Sequence, residues 1–193
     1  DILKVGDLAV AIGHPLTLGA APTVTTGVVS ALERRLDVGG ETMNSGVTLF
    51  GLIQTDAPIT RGSRGGALIN NNGELIGITT AIATADVGAE GLGFAVPVNL
   101  ALGIADDLLN DGQILHAFLG ILGAQHFDTA DDGARVFSGV FIQELYGPGN
   151  DVFAIGKAGP MPGDIIKKIN GINVKTLDSL ITVLRQKRAG DTV

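Results

Sequence analysis

From Leu8 to Val98 the chain alternates short apolar, β-branched runs with turn residues. Leu8-Ala9-Val10-Ala11-Ile12 stops at Gly13-His14-Pro15, and Thr23 to Leu32 and Val47 to Gln54 are the next two runs. Ala67-Leu68-Ile69 and Glu74-Leu75-Ile76-Gly77-Ile78 flank Asn70-Asn71-Asn72-Gly73, where Asn and Gly accept the positive φ of a tight hairpin. Gly91 to Pro97 closes the series. Strands this short, at this spacing, predict a sandwich or a barrel. The pattern then changes period. Asn99 suits a helix N-cap, Leu100, Ile104 and Leu108 recur every four residues, and Gly112 stops the run. A second β-rich module follows, with Phe118 to Ile121, Gly139 to Ile142 and Asp164 to Ile169 as strands. Its last element is a helix capped by Thr176, with Leu177, Leu180, Ile181 and Leu184 forming one stripe and Gly190 ending it. Asp178 early and Arg185, Lys187 and Arg188 late complement the helix dipole.

Composition narrows the class without changing that outline. With 45% hydrophobic residues, 17% charged and a mean hydropathy of +0.37, the chain is not disordered. Glycine, 29 of 193 residues, is about twice ordinary usage and fits many tight turns. The net charge of −7 argues against a nucleic-acid surface, which needs clustered Lys and Arg. The charge is sorted: residues 106–155 hold 8 acids against Arg135 alone, and residues 156–193 hold 7 bases against 3 acids. No cysteine is present, so disulfides and thiolate-held metals are excluded. No apolar run reaches the roughly 18 residues of a membrane helix. Asp1-Ile2-Leu3-Lys4-Val5 is neither a signal peptide nor a start methionine, so the chain is expected to open within a domain.

The stretch with chemical promise is Ile53 to Leu68, and above all Thr60-Arg61-Gly62-Ser63-Arg64-Gly65-Gly66. Glycines let a backbone turn so sharply that two N–H groups aim at one point and can hold an oxyanion. A serine between them attacks a carbonyl once a histidine takes its proton. No His, Asp or Glu pair has metal-ligand spacing. His14 reads as a turn residue before Pro15, and His116 and His126 as surface or strand residues of the second module. Gly147-Pro148-Gly149 lacks the third glycine of a dinucleotide loop, and no P-loop lysine motif exists. No cofactor and no metal are expected.

This loop resembles the nucleophile loop of the HtrA/DegP/DegQ family, trypsin-like serine proteases with C-terminal PDZ domains. Val5-Gly6-Asp7, Ala11 to Pro15, Thr26 to Ala31, Gly73 to Ile78 and Gly91 to Pro97 resemble that family's blocks in its order. The resemblance implies a mainly β chain: the C-terminal half of a trypsin-like double β-barrel (1–98), a linker helix (99–113) and a PDZ-like α+β domain (114–193). It also implies that the N-terminal barrel, source of the family's His and Asp, lies outside this chain and that the PDZ domain is C-terminally short. The family loop reads Gly-Asn-Ser-Gly-Gly. Aligning Gly62 and Gly65-Gly66 puts Ser63 at the Asn position and Arg64 at the nucleophile position. Gly62 and Arg64 would supply the oxyanion-hole N–H groups, and Ser63, one position early, should face the wrong way.

By the same resemblance, Ile59 and Ile82 line the primary specificity pocket and imply small aliphatic side chains such as Val or Ala. Leu36 to Gly46 and Ala83 to Glu90 resemble the regulatory loops. Gly91-Leu92-Gly93-Phe94 spells a PDZ tetrapeptide, but its surroundings make it the last protease strand. The carboxylate loop is instead Phe118-Leu119-Gly120-Ile121, with Leu180 and Leu184 on the other groove wall. Ala158 to Ile166 and Ile169-Asn170-Gly171 resemble further PDZ segments, whereas Leu145 to Gly156 departs from the family pattern. Two functions follow as expectations. One is an extracytoplasmic serine endopeptidase that hydrolyses unfolded proteins, inactive in this chain because Arg64 replaces the nucleophile. The other is a pseudoprotease acting as chaperone or adaptor through PDZ binding of hydrophobic peptide C-termini. A homo-oligomer is possible in the full-length protein, and no nucleic acid is expected as partner.

Overall fold

The computed structural model describes residues 3–14, 21–38, 47–82, 92–114, 117–146, 159–188 and 190–193. The chain divides into two compact units, Asp1–Gln113 and Ile114–Val193. The first is a closed antiparallel barrel of β1 (Leu8–Gly13), β2 (Thr23–Val38), β3 (Val47–Thr55), β4 (Ala67–Ile69), β5 (Leu75–Ile82) and β6 (Gly93–Pro97). Going round it, the strands follow the order β1-β2-β3-β6-β5-β4, and β1 closes the ring by pairing with both β2 and β4. Closure leaves no open edge along the paired segments.

The apolar runs form the expected strands, but which face of each points inward depends on barrel size. β1 is apolar on both faces, yet it buries Ala9 and Ala11 and leaves Leu8 exposed. The interior cluster is Ala9, Ala11, Val29, Ile53, Ala57, Ile59, Leu68 and Ala95. The four alanines leave room inside the narrow barrel for Val29, Ile53, Ile59 and Leu68.

β2 runs six residues past the expected end at Leu32. Register shifts at Ala31, Arg34 and Leu36, with Glu33 at φ +54, absorb its polar segment into the strand. Beyond the barrel, Leu36 and Leu49 join Leu52, Phe94, Leu92 and Val96 in a second small core.

The Asn70–Gly73 hairpin forms as expected. Asn70 Oδ1 accepts from the N–H of Asn72 and of Glu74, each at 2.9 Å, and Gly73 takes φ +78. Amide donors from Asn70 and then Asn72 hold the Glu74 carboxyl below its ordinary value.

α1 (Val98–Asp111) begins two residues earlier than a cap at Asn99 predicts. Pro97 is its N-cap, so Asn99 lies inside the first turn, where its Oδ1 meets the Leu100 N–H at 3.0 Å. Gly112 does terminate it, in a left-handed conformation that bonds back to Leu108 O. The helix packs on β5 and β6 and belongs to the first unit, not to a separate linker. Its expected stripe is only partly right, because Leu108 is exposed and Asp107 is buried.

The second unit has a three-stranded sheet in the order β7-β8-β9, made of β7 (Ile121–Thr129), β8 (Arg135–Leu145) and β9 (Ile165–Ile166). β10 (Lys168–Ile169) and β11 (Ile172–Asn173) form a small ribbon, and α2 (Leu177–Leu184) follows. Phe118 to Gly120 precede β7 instead of belonging to a strand. α2 stops at Leu184 with Arg185 as C-cap, well before Gly190. Val183, not Ile181, joins Leu180 in the core with Val140, Ile142, Ile169, Val174 and Leu119.

The Thr176 cap is a full capping box. Thr176 Oγ1 accepts from Ser179 N at 3.0 Å, and Ser179 Oγ accepts from Thr176 N at 3.0 Å. Thr176→Ala is expected to destabilise the second unit by about 1 kcal/mol. Urea unfolding followed by NMR signals of residues 121–184 checks it; no change in midpoint would remove the cap from the account.

Candidate functional site

The segment from Asp56 to Gly66 crosses from β3 to β4 and is tied to strands on both sides. Thr55 Oγ1 donates to Val28 O at 2.8 Å and accepts from Ala57 N at 3.1 Å. Asp56 Oδ1 accepts from Val28 N at 2.7 Å, and Thr25 Oγ1 donates to Pro58 O at 2.8 Å. These bonds press the loop onto β2 at Gly27, where an added Cβ would lie 2.3 Å from both Ala57 N and Asp56 Oδ1. Ile59 then dives into the barrel core and covers Gly93.

The chain next winds into a single 3₁₀ turn at Arg61–Ser63, with Ser63 N bonded to Thr60 O at 3.0 Å. Ser63 is 6% exposed. Its Oγ lies 3.0 Å from Thr60 Oγ1, and its Cα and Cβ sit where a Cβ on Gly13 would be. Thr79 of β5 fixes the far side: its Oγ1 donates to Ser63 O at 2.5 Å, and its N–H donates to Gly66 O at 2.9 Å. Gly65 N donates to Thr79 O at 2.6 Å, and Gly66 lies against Ile12 O so closely that no side chain fits.

Between those anchors Gly62 is half-buried, while Arg64 is exposed and extended (φ −67, ψ 138) before Gly65 at φ +79. Among the described residues the Arg64 guanidinium has no hydrogen-bond or ion-pair partner. The turn places the Ser63 N–H on Thr60 O, and the Gly65 and Gly66 N–H groups bond Thr79 O and Ser63 O.

The structure brings together part of what the sequence singled out. Ile59 packs over Gly93, and the backbone of Ile82 pairs with that same Gly93; the Ile82 side chain lies outside the described residues. Residues 39–46 of the first expected regulatory loop, residues 83–90 of the second, His116 and the segment 147–156 also fall outside. His14 is exposed just past β1. His126 is on β7 with Nδ1 2.7 Å from Ser138 Oγ. Thr79, Gly13 and Asp56 were not singled out. Nothing local marks them, because their partners lie far along the chain.

In the second unit, Phe118 is 55% exposed and Leu119 only 7%. Gly120 has φ +71 and accepts from Tyr146 N at 2.6 Å, and Ile121 opens β7. Leu180, expected on a groove wall, is 3% exposed and sits in the core with Leu119, because its helical phase faces the sheet with Val183. Leu184 is half-buried. Leu177 and Ile181, four residues apart on α2, are also half-buried; the i, i+4, i+7 spacing of Leu177, Ile181 and Leu184 was the available signal.

The trypsin-like peptidase domain family matches residues 1–78. The periplasmic pH-dependent serine endoprotease DegQ of Escherichia coli is 45% identical over 179 residues, covering 89% of this chain and 35% of DegQ. The serine protease PepD of Mycobacterium tuberculosis is 40% identical over 198 aligned positions, covering 99% of this chain and 39% of PepD. Among solved structures, the HtrA-type protease AlgW with a tripeptide superposes with a TM-score of 0.63 at 31% identity, covering 96% of this chain and 58% of AlgW.

The chain belongs to the HtrA family of trypsin-like serine proteases. It spans under two-fifths of the length of DegQ and PepD. An HtrA-type barrel thus carries the Asp56–Gly66 segment on close backbone contacts as well as side-chain bonds. Gly27→Ala is expected to cost about 1–3 kcal/mol, because the new methyl meets backbone that cannot swing aside. The urea midpoint of the first unit reads it; an unchanged midpoint would show that the contact at Ala57 is not tight.

Proposed function

We propose that the HtrA-type protein represented here is an extracytoplasmic serine endopeptidase acting on unfolded polypeptides without a cofactor, and that this 193-residue chain does not itself hydrolyse peptide bonds. The observation that carries the second part is the occupancy of the loop. Arg64 stands where the family loop has its nucleophile, and a guanidinium stays protonated and cannot attack an acyl carbon. Ser63 does not substitute for it: its hydroxyl is buried against Gly13 and bonded to Thr60. Among the described residues no imidazole is hydrogen-bonded to this loop. The periplasmic names of DegQ and of the DegP relatives support the location. Ile59 over Gly93 supports a pocket for small aliphatic side chains, with Ile82 as its second expected wall.

The alternative reading is a pseudoprotease that binds peptide C-termini through the second unit, read as a PDZ domain. One feature favours it. β7 is an edge strand of its sheet, α2 packs beside it, and the Phe118–Ile121 segment enters it, so a peptide added as a further strand would lie between β7 and α2. On this reading Gly120 and Ile121 present backbone N–H groups to the terminal carboxylate, while Leu184, Ile181 and Leu177 offer apolar surface.

Fluorescent casein incubated with the chain tests turnover. No hydrolysis sensitive to a serine-protease inhibitor is expected from the chain as written. Arg64→Ser is expected to stay at background as well, because an alcohol without a general base to take its proton is a poor nucleophile. Inhibitor-sensitive cleavage by the unaltered chain would overturn the proposal of inactivity.

A further inference from the structure

We propose that the Gln125 side chain is the clasp that sets the spacing between β7 and α2, and so the selectivity of the groove between them. The proposal rests on reading that groove as a peptide site. Gln125 lies two residues beyond Gly123 on the face of β7 that meets α2. Leu177 Cδ1 comes within 3.6 Å of where a Gly123 Cβ would be. The Gln125 amide spans the gap. Its Oε1 accepts from Leu177 N at 3.1 Å, and its Nε2 lies 2.9 Å from Lys175 O and 3.0 Å from Gly139 O, with His126 O at 3.1 Å. The orientation of the amide follows from chemistry. Leu177 offers an N–H and the other three partners are carbonyls, so the reverse orientation would set oxygen against oxygen and donor against donor.

These bonds act where α2 is otherwise untied. The first N–H groups of a helix have no partner within it. Thr176 Oγ1 serves Ser179 N, and Gln125 serves Leu177 N, so the head of α2 is bonded directly to the strand it faces. Lys175 O is held twice, by Gln125 Nε2 and by Gly139 N at 3.1 Å, which fixes the approach to the helix on β8 as well. Towards the other end, Leu180, Val183 and Leu184 pack α2 against the apolar core of the unit. Packing of that kind is not directional and lets a helix shift, whereas three polar bonds at a helix head do not. The head of α2 therefore fixes the width, and the side chain admitted beside Gly123 and Leu177 is limited by it.

The test uses the 193-residue chain and two fluorescein-labelled peptides with a free C-terminal carboxylate, identical except for Val or Phe two residues before the C-terminus, the position a carboxylate held at Gly120 and Ile121 sets beside Gly123. Fluorescence anisotropy gives both affinities. The unaltered chain is expected to prefer Val. Gln125→Leu, which keeps the bulk and removes all four polar contacts, is expected to weaken Val binding about tenfold. It should weaken Phe binding much less, so that the Val/Phe ratio falls. Gln125→Glu keeps the acceptor for Leu177 N–H and loses the donor to Lys175 O, and its ratio should lie between the other two. It also carries the test if Gln125→Leu does not fold. A Gln125 with only a stabilising role would change thermal stability and leave the ratio where it was. An unchanged ratio in the folded variants overturns the clasp. If the unaltered chain binds neither peptide, the groove reading falls and takes the clasp with it.

Discussion

The pairing of β1 with two neighbours is the constraint on which the first unit depends. β1 meets β2 over Leu8–Gly13 and β4 over Val10–Ile12, and the second pairing turns a curved sheet into a ring. In the closed ring the Asp56–Gly66 segment lies against β1 at Gly13, β2 at Gly27 and β5 at Thr79. That is where Gly13, Gly27 and Gly66 let the backbone pass without side chains in the way. Without the β1–β4 pairing, Ile12 O would no longer lie under Gly66, and Ser63 would lose the Gly13 surface on which it rests.

What could be read from the chain was what depends on near neighbours in sequence. The Asn70–Gly73 turn is set by an Asn oxygen bonding to N–H groups two and four residues on. The Thr176 cap is set by a serine three residues later. Both are local and both were legible. The inward face of β1 was not, because Leu, Ala, Val and Ile are apolar on either side and only the barrel's diameter chooses the alanines. The helical stripe of α2 misled by one position, since Ile181 and Val183 are equally apolar and the sheet they meet is distant in sequence. The extension of β2 past Leu32 needed a positive φ at Glu33, for which glutamate gives no cue.

The candidate loop divides along the same line. Its place in the chain was legible through ordered resemblances. Its anchoring was not. Thr25, Val28 and Thr79 lie between 13 and 33 residues away from the loop atoms they bond. Hydroxyls on strands carry no signature that tells a loop anchor from an ordinary β-branched strand residue.

That anchoring makes the shape of the loop independent of the Arg64 side chain. Among the described residues, the bonds that fix the loop are made without the Arg64 side chain: by Asp56, Thr60 and Ser63 within it, and by Thr25, Val28, Thr55 and Thr79 around it. A residue that only performs chemistry can therefore change without unfolding the site, because the shape is over-determined by its neighbours. The reverse holds for Ser63. Its burial and its bond to Thr60 make it part of the frame. In the second unit the corresponding division falls between Leu180, which is frame, and Leu177, Ile181 and Leu184, which keep surface to offer. Each unit thus carries its frame in residues distinct from those that keep surface to offer.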